Sequence, residues 1–304
     1  MTLLLPEDDG IAEFVERTVP AAVVRRYGQA ARDRLYDVTF YCLPYMGDAS
    51  TIALIREMPQ LAVVQSLSSG VDEVLGAMPS QATLCNGVGL GHEEGTAELA
   101  VTLILASFRQ LPVFVGQQAR RTWRHTRTES LDGKRVLLVG YGAIGAAVEQ
   151  RIAPFGARVS RVSRTAREGV SPLSDLPRLA ADADVLVICI ALTLETRSLV
   201  SHEVLSVLPD GALVVNVARG PVVDAGAMTA ELRTGRLRAA LDVVDVEPLP
   251  ADRPEWTLPN VLVTPHIGGD TFTFANRAPG FVADQAARHL NGEPLRNVVR
   301  SAMS

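Results

Sequence analysis

Cysteine, lysine and long apolar runs are scarce in this chain, and each shortage closes a class of function. Cys42, Cys85 and Cys189 are the only cysteines in 304 residues. They are too scattered for a disulfide framework or a metal-ligand spacing, and they suit a reducing compartment. Lys134 is the only lysine, so almost all positive charge is arginine, a bias of base composition rather than of mechanism. With a net charge of −5, nucleic acid is not an expected partner. The longest apolar stretch, Leu99 to Phe108, is about half a membrane span, so no membrane association is expected. The start, Leu3-Leu4-Leu5-Pro6 followed by Glu7-Asp8-Asp9, is too short and too acidic behind it for a signal peptide. The expected location is cytoplasmic. What remains is ordinary globular composition, 47% hydrophobic and 21% charged, in a chain long enough for two domains with cores of their own.

Against that plain background one motif stands out. Val136-Leu137-Leu138-Val139-Gly140-Tyr141-Gly142-Ala143-Ile144-Gly145 is an apolar run ending in GxGxxG, and it opens into a helical stretch, Ala146 to Ile152. A strand, a glycine turn and a helix in that order bind a dinucleotide pyrophosphate. Gly140 permits the turn, Gly142 admits the phosphates close to the backbone, and Gly145 lets the helix pack on the strand. The anion then meets a helix N-terminus. Gly140, Gly142, Ala143, Ile144 and Gly145 are therefore the expected cofactor cradle.

A second absence is as informative. An NAD site usually presents Asp or Glu about 20 residues further on, to hold the ribose hydroxyls. The second strand, Ala157 to Val162, ends instead in Ser163-Arg164-Thr165-Ala166-Arg167. A hydroxyl beside a guanidinium suits a 2′-phosphate, which a carboxylate would repel. Ser163, Arg164 and Thr165 thus point to NADP as the preferred cofactor, with NAD possible.

Strand-like apolar runs alternate with helical ones at Val136–Val139, Ala157–Val162, Val185–Ile190, Ala212–Val217, Arg238–Val243 and Val261–Thr264. Continuous apolar runs separated by helices predict a parallel sheet buried on both faces. The fold class is α/β, with a Rossmann-type doubly wound nucleotide domain of six strands. Shorter runs at Leu3–Leu5, Val38–Cys42, Ala62–Ser66 and Thr83–Cys85 predict a separate, smaller α/β domain before it. The apolar helix Thr96 to Phe108 begins the crossover. Thr271 to Leu290 is expected to return as a helix, with no further strand. The expected division is 1–97 with 275–304 as a discontinuous substrate domain and 98–274 as the dinucleotide domain, with a cleft between them.

Charged residues follow the late strands, where ligands bind in open α/β sheets. Arg219 follows Asn216-Val217-Ala218, Glu247 lies just beyond Arg238–Val243, and His266 follows Thr264-Pro265. A 2-oxo acid needs a cation for its oxygens and a proton donor as hydride reaches carbon. Arginine supplies the first and histidine the second. A carboxylate beside the imidazole orients it and favours its cation.

These residues, with Ser68-Ser69-Gly70-Val71-Asp72, Gly95-Thr96-Ala97-Glu98-Leu99, Asn216 to Asp224, Leu241 to Pro250 and Thr264 to Gly269, make the chain resemble the D-isomer-specific 2-hydroxyacid dehydrogenases nearly end to end. The resemblance implies Arg219, Glu247 and His266 as the catalytic set, with His266 the acid/base and Glu247 its partner. It implies a flavodoxin-like substrate domain and a carboxylate site at the Ser69 and Gly70 amides. It also implies Asp242 at the nicotinamide carboxamide, with Thr96 nearby and Val217 and Ala218 among the cofactor residues. The Ser163-Arg164-Thr165 tip resembles the NADPH-preferring glyoxylate and hydroxypyruvate reductase branch. Relatives are dimers through the nucleotide domain, so a homodimer is expected. Ala191 stands where members usually have proline, a departure at a cofactor contact.

The expected pocket lip, Leu43-Pro44-Tyr45-Met46-Gly47, has no cation for a phosphorylated substrate, and Tyr45 joins the substrate residues. The chain ends soon after the return helix, so no regulatory domain is expected. His92-Glu93-Glu94 reads as a solvated loop rather than a metal site, and no metal is expected. Two other functions fit the same residues: a nicotinamide-sensing corepressor-like interaction protein, and a dehydrogenase of another small anion such as phosphite. Turnover of 2-oxo acids separates them.

Overall fold

Leu3, Leu4 and Leu5, stopped by Pro6, have the composition of a strand covered on both faces. In the computed structural model, which describes residues 1–7, 10–27 and 35–302, they lie in the fully buried β1 (Thr2–Leu5). The chain continues through α1 (Ile11–Thr18), β2 (Val23–Arg26), β3 (Val38–Cys42), α2 (Ala49–Ala53), β4 (Val63–Gln65), α3 (Asp72–Leu75) and β5 (Thr83–Cys85). These strands run parallel in the order β2-β1-β3-β4-β5, the flavodoxin-like arrangement. β2 was not evident in the sequence. It is an edge strand, only partly buried, and its arginines are tied to Asp37, Glu13 and Glu16.

A second unit, Glu93–Gly268, contains most of α4 (His92–Phe108) and then α5 (Leu111–Ala119), β6 (Arg135–Val139), α6 (Ala143–Ile152), β7 (Arg158–Ser163), β8 (Ser171–Pro172), α7 (Leu176–Ala180), β9 (Val185–Ile188), α8 (His202–Val207), β10 (Leu213–Asn216), α9 (Ala225–Thr234), β11 (Arg238–Leu241) and β12 (Val261–Val263). The sheet order is β12-β11-β10-β9-β6-β7-β8, parallel throughout. It reverses direction between β6 and β9, which places the ligand crevice at their carboxyl ends. Alternate residues feed two cores: Leu137, Val139, Leu186 and Val214 on one face, and Val136, Leu138, Val187 and Val215 with Ala100, Ile104 and Phe108 of α4 on the other. Burial on both faces is why these strands read as unbroken apolar runs. The expected six strands become seven, because β8 is a two-residue edge strand with no apolar signal. Among the described residues no single helix is long and apolar enough to cross a membrane, and α4 and α5 are bent by 64° at their junction.

The chain then returns to the first unit, which comprises Met1–His92 and Gly269–Ser304. α10 (Phe272–Asn291) starts on a Thr271 side chain that accepts from Phe274 N, and it ends at a left-handed Gly292. Its Phe274, Ala278, Val282 and Ala286 enter the core formed by Leu3, Leu5 and Phe40. The expectation of a helix without a further strand needs correction. β13 (Val298–Arg300) pairs antiparallel with β5, and its half-exposed three residues leave no alternation to read. The units divide at 92/93 and 268/269, where the sequence suggested 97/98 and 274/275. Nearly all of α4 clusters with the second unit, and the whole of α10 with the first.

Candidate active site

β10 closes on Asn216, whose side chain rounds the next turn. Its Oδ1 accepts from Ala218 N at 3.0 Å and its Nδ2 donates to Arg219 O at 3.1 Å, an Asx turn that fixes the backbone of Arg219. The Arg219 guanidinium donates to Ala218 O at 2.8 Å. A Cβ on Gly220 would fall 2.0 Å from Val244 O, so only glycine lets this turn meet the segment after β11. In that segment Val244 N donates to Glu247 Oε1 at 3.1 Å. Glu247 Oε2 stands 2.7 Å from His266 Nδ1. A carboxylate only accepts, so Nδ1 carries a proton and Nε2 is the ring's outward nitrogen. Burial alone would raise the Glu247 carboxyl, but the His266 hydrogen bond and charge, the Val244 amide and the charge of Arg219 outweigh it and hold it below the usual carboxylate range.

His266 has φ 54, a left-handed backbone that costs a residue with a Cβ roughly 1 kcal/mol or more. Asp242, only 3% exposed, holds it there. Its backbone O accepts from His266 N at 2.9 Å. Its carboxylate accepts from Thr264 Oγ1 at 2.6 Å, Ile267 N at 2.9 Å and Gly268 N at 2.9 Å. Asp242, expected beside the cofactor, is thus also the brace of the His266 loop, a role the sequence did not suggest. A Cβ on Gly268 would lie 3.0 Å from Asp242 Oδ2 and 3.3 Å from Thr96 Oγ1, so the buried Thr96 borders the same loop.

The glycine cradle is built as its spacing requires. Gly140 has φ 99, and a Cβ there would fall 2.7 Å from the Ile190 backbone; one on Gly145 would fall 2.5 Å from Gly140 O. Gly142, by contrast, faces open space and caps α6 without a side chain. Helix α6 therefore begins at Ala143, ahead of the expected Ala146, with Ala143 and Ile144 in its first turn. A dinucleotide pyrophosphate fits this arrangement of close backbone and open helix amides. Val217 N donates to Ile188 O at 3.2 Å, which ties the Val217-Ala218 turn to the neighbouring strand end. Ala191 O accepts from Thr196 Oγ1 at 2.8 Å.

At the tip of β7, Ser163 Oγ donates to Thr165 O at 2.7 Å, so the hydroxyl shapes the turn while Arg164 and Thr165 are exposed. Arg167 is an addition to the expected set. Its guanidinium donates to Tyr141 O in the glycine turn and lies 5.4 Å from the Tyr141 ring centroid. Tyr141 Oη in turn donates to Glu149 Oε2 at 2.6 Å, which Arg161 also engages. The crowding of arginine from 158 to 167 was the available signal.

In the first unit, Ser69 and Gly70 occupy the turn after β4, and Tyr45 stacks on His92 with ring centroids 5.5 Å apart. The solvated-loop reading of His92 is corrected. The residue is 5% exposed and packs 4.4 Å from Phe274, because it opens α4 on the side that faces the core. Among the described residues no group of His, Cys, Asp and Glu could hold a metal.

Comparison with known proteins follows the same lines. The family model described as "D-isomer specific 2-hydroxyacid dehydrogenase, NAD binding domain" matches residues 101–268. A D-3-phosphoglycerate dehydrogenase of Mycobacterium tuberculosis is 36% identical over 256 residues, 81% of this chain and 48% of that protein; the chain spans about half the length of such relatives. The Arabidopsis thaliana glyoxylate/hydroxypyruvate reductase A HPR2 is 32% identical over 82% of this chain and 83% of its own. A crystal structure of a D-isomer specific 2-hydroxyacid dehydrogenase from Xanthobacter autotrophicus Py2 in complex with NADPH and MES superposes with a TM-score of 0.79, at 30% identity and 98% coverage of both chains.

Proposed function

The chain belongs to the D-isomer specific 2-hydroxyacid dehydrogenase family, and on that premise we propose that it reduces a small 2-oxo acid to its D-2-hydroxy acid with NADPH. The observation that carries the reading is the 2.7 Å contact of His266 Nδ1 with Glu247, in the same unit as the Arg219 turn and the glycine cradle. NADPH supplies the hydride; the chain must supply the proton and hold the charge. His266 donates from Nε2 to the substrate oxygen as the carbonyl carbon is reduced, and the resulting imidazole regains its proton from water. Glu247 keeps the ring oriented, with Nδ1 bound and Nε2 turned outward. Arg219 draws electron density from the carbonyl oxygen and pairs with the carboxylate. In the first unit, the Ser69 and Gly70 amides take the carboxylate and Tyr45 sits at the lip.

For the cofactor, Gly140, Gly142, Ala143, Ile144 and Gly145 hold the pyrophosphate, and the exposed Arg164 and Thr165 take the 2′-phosphate on the turn that the Ser163 hydroxyl shapes. Val217, Ala218, Thr96 and Asp242 attend the nicotinamide end. The NADPH of the Xanthobacter structure supports that choice. The lip from Leu43 to Gly47 has no basic residue, which favours glyoxylate or hydroxypyruvate over a phosphorylated acid. A homodimer in the cytoplasm completes the reading, with the exposed Leu111, Val113 and Val115 of α5 and Trp123 beyond it as the apolar face it covers. The test is turnover of glyoxylate, hydroxypyruvate and phosphohydroxypyruvate with each nicotinamide cofactor. The unphosphorylated acids with NADPH are expected to lead; no turnover of any acid would sink the proposal.

A further inference from the structure

A peptide unit is planar, with its C=O and the next residue's N–H on opposite sides. Anchoring the carbonyls of Ser68 and Ser69 therefore sets the direction of the Ser69 and Gly70 amides. The first unit anchors three carbonyls in succession. His92 Nε2 lies 2.6 Å from Leu67 O, Gly87 N donates to Ser68 O at 2.9 Å, and Asn86 Nδ2 donates to Ser69 O at 3.0 Å. The Ser68 amide meets Ser66 Oγ at 3.1 Å. A Cβ on Gly87 would fall 2.0 Å from Leu67 O, so glycine is required for this approach.

The two anchoring side chains are themselves fixed. Asn86 Oδ1 accepts from Val88 N at 3.3 Å and its backbone O accepts from Gln65 Nε2 at 3.1 Å, an arrangement that leaves Nδ2 as the donor to Ser69 O. His92 is clamped between Leu67 O and Gly269 O, the latter 3.1 Å from Nδ1, and rests on Tyr45 and Phe274. A Cβ on Gly269 would fall 2.4 Å from that Nδ1.

We propose that Asn86 is a positioning residue that aims the Gly70 amide through Ser69 O, beside the Ser69 amide that Gly87 N aims through Ser68 O, as a two-N–H nest for the substrate carboxylate, and that His92 is a second positioning residue that holds Leu67 O at the start of the turn and sets the Tyr45 lip. The inference rests on the reading of Ser69 and Gly70 as the carboxylate site. Neither side chain touches substrate; each works by restraining a carbonyl, so that the amides need no reorientation when the anion arrives.

The test uses the full chain and its Asn86→Ala, Asn86→Asp, His92→Ala and His92→Gln variants, with glyoxylate as substrate, oxalate as an unreactive dicarboxylate, and NADPH binding as a control. Asn86→Ala should raise the KM for glyoxylate and the Ki for oxalate together, by about tenfold, while kcat at saturation and the Kd for NADPH stay within about threefold. Asn86→Asp keeps the shape but sets oxygen against oxygen, so it should fail in the same way. His92→Gln retains a donor and should fall between wild type and His92→Ala. Unchanged KM and Ki in both Asn86 variants, or parallel loss of kcat and NADPH binding, would overturn the proposal. A wild type that neither turns over 2-oxo acids nor binds oxalate would overturn the functional reading and this inference with it. An active wild type with indifferent Asn86 variants would remove the positioning role alone.

Discussion

Glu247 divides its oxygens between structure and chemistry, with Oε1 on the Val244 amide and Oε2 on His266. Its carboxyl is held below the usual range, and the sign of the pH effect follows. A depressed folded value means that the pair's stabilisation is present above the ordinary carboxylate range and is lost as pH falls through the depressed value. Reduction, which needs the Glu247 carboxylate on His266 Nδ1, should decline at the acid end as that carboxyl takes up a proton. Glu247→Gln has no carboxyl to protonate, so that acid-side decline should be absent from the variant. Coincident profiles would show that the two residues do not act together. Arg219, Glu247 and His266 were legible because charged residues just past buried strands are conspicuous. The bracing carboxylate of Asp242 was not legible as such, since its partners Thr264, Ile267 and Gly268 are mostly backbone amides from another segment. His92 was misjudged because Glu93 and Glu94 beside it have the look of a solvated stretch, whereas burial at a helix start selects one face residue by residue.

At the scale of elements, β6, the glycine turn and α6 could be read directly, because each local requirement shows in the sequence: apolar strand, glycine at φ 99, glycine where a Cβ would strike Gly140 O. The edge strands β2, β8 and β13 could not. They are short and partly exposed, and their pairing partners lie far along the chain. The tip of β7 carries the cofactor prediction. A charge-assisted contact to phosphate contributes about 1.5–3 kcal/mol, or roughly ten- to a hundredfold in kcat/KM. The unmodified protein should therefore prefer NADPH over NADH, and Ser163→Asp with Arg164→Ala should reverse that preference by adding repulsion and removing attraction. An unchanged ratio in the double variant would leave Arg164 as a solvated residue and shift attention to Arg167, which is already anchored on Tyr141.

For the whole molecule, the proposed dimer is the simplest claim to check. Val115 is 65% exposed and Trp123 99%, and with Leu111 and Val113 they give the apolar surface that the proposed partner would cover. Sedimentation should give twice the chain mass, and Val115→Asp with Leu111→Asp should return it to a single chain; a monomeric wild type would contradict the assignment. The central claim is that the chain reduces 2-oxo acids by proton donation from His266, and it is tested most directly by following NADPH consumption with hydroxypyruvate in wild type and His266→Ala, with NADPH affinity measured alongside. The account predicts a D-configured product from the wild type. It also predicts a loss of about 10²–10⁴-fold in kcat for the variant, with cofactor binding retained because no part of the glycine cradle is altered. A variant within about tenfold of wild type, or a wild type that consumes no NADPH, would contradict it.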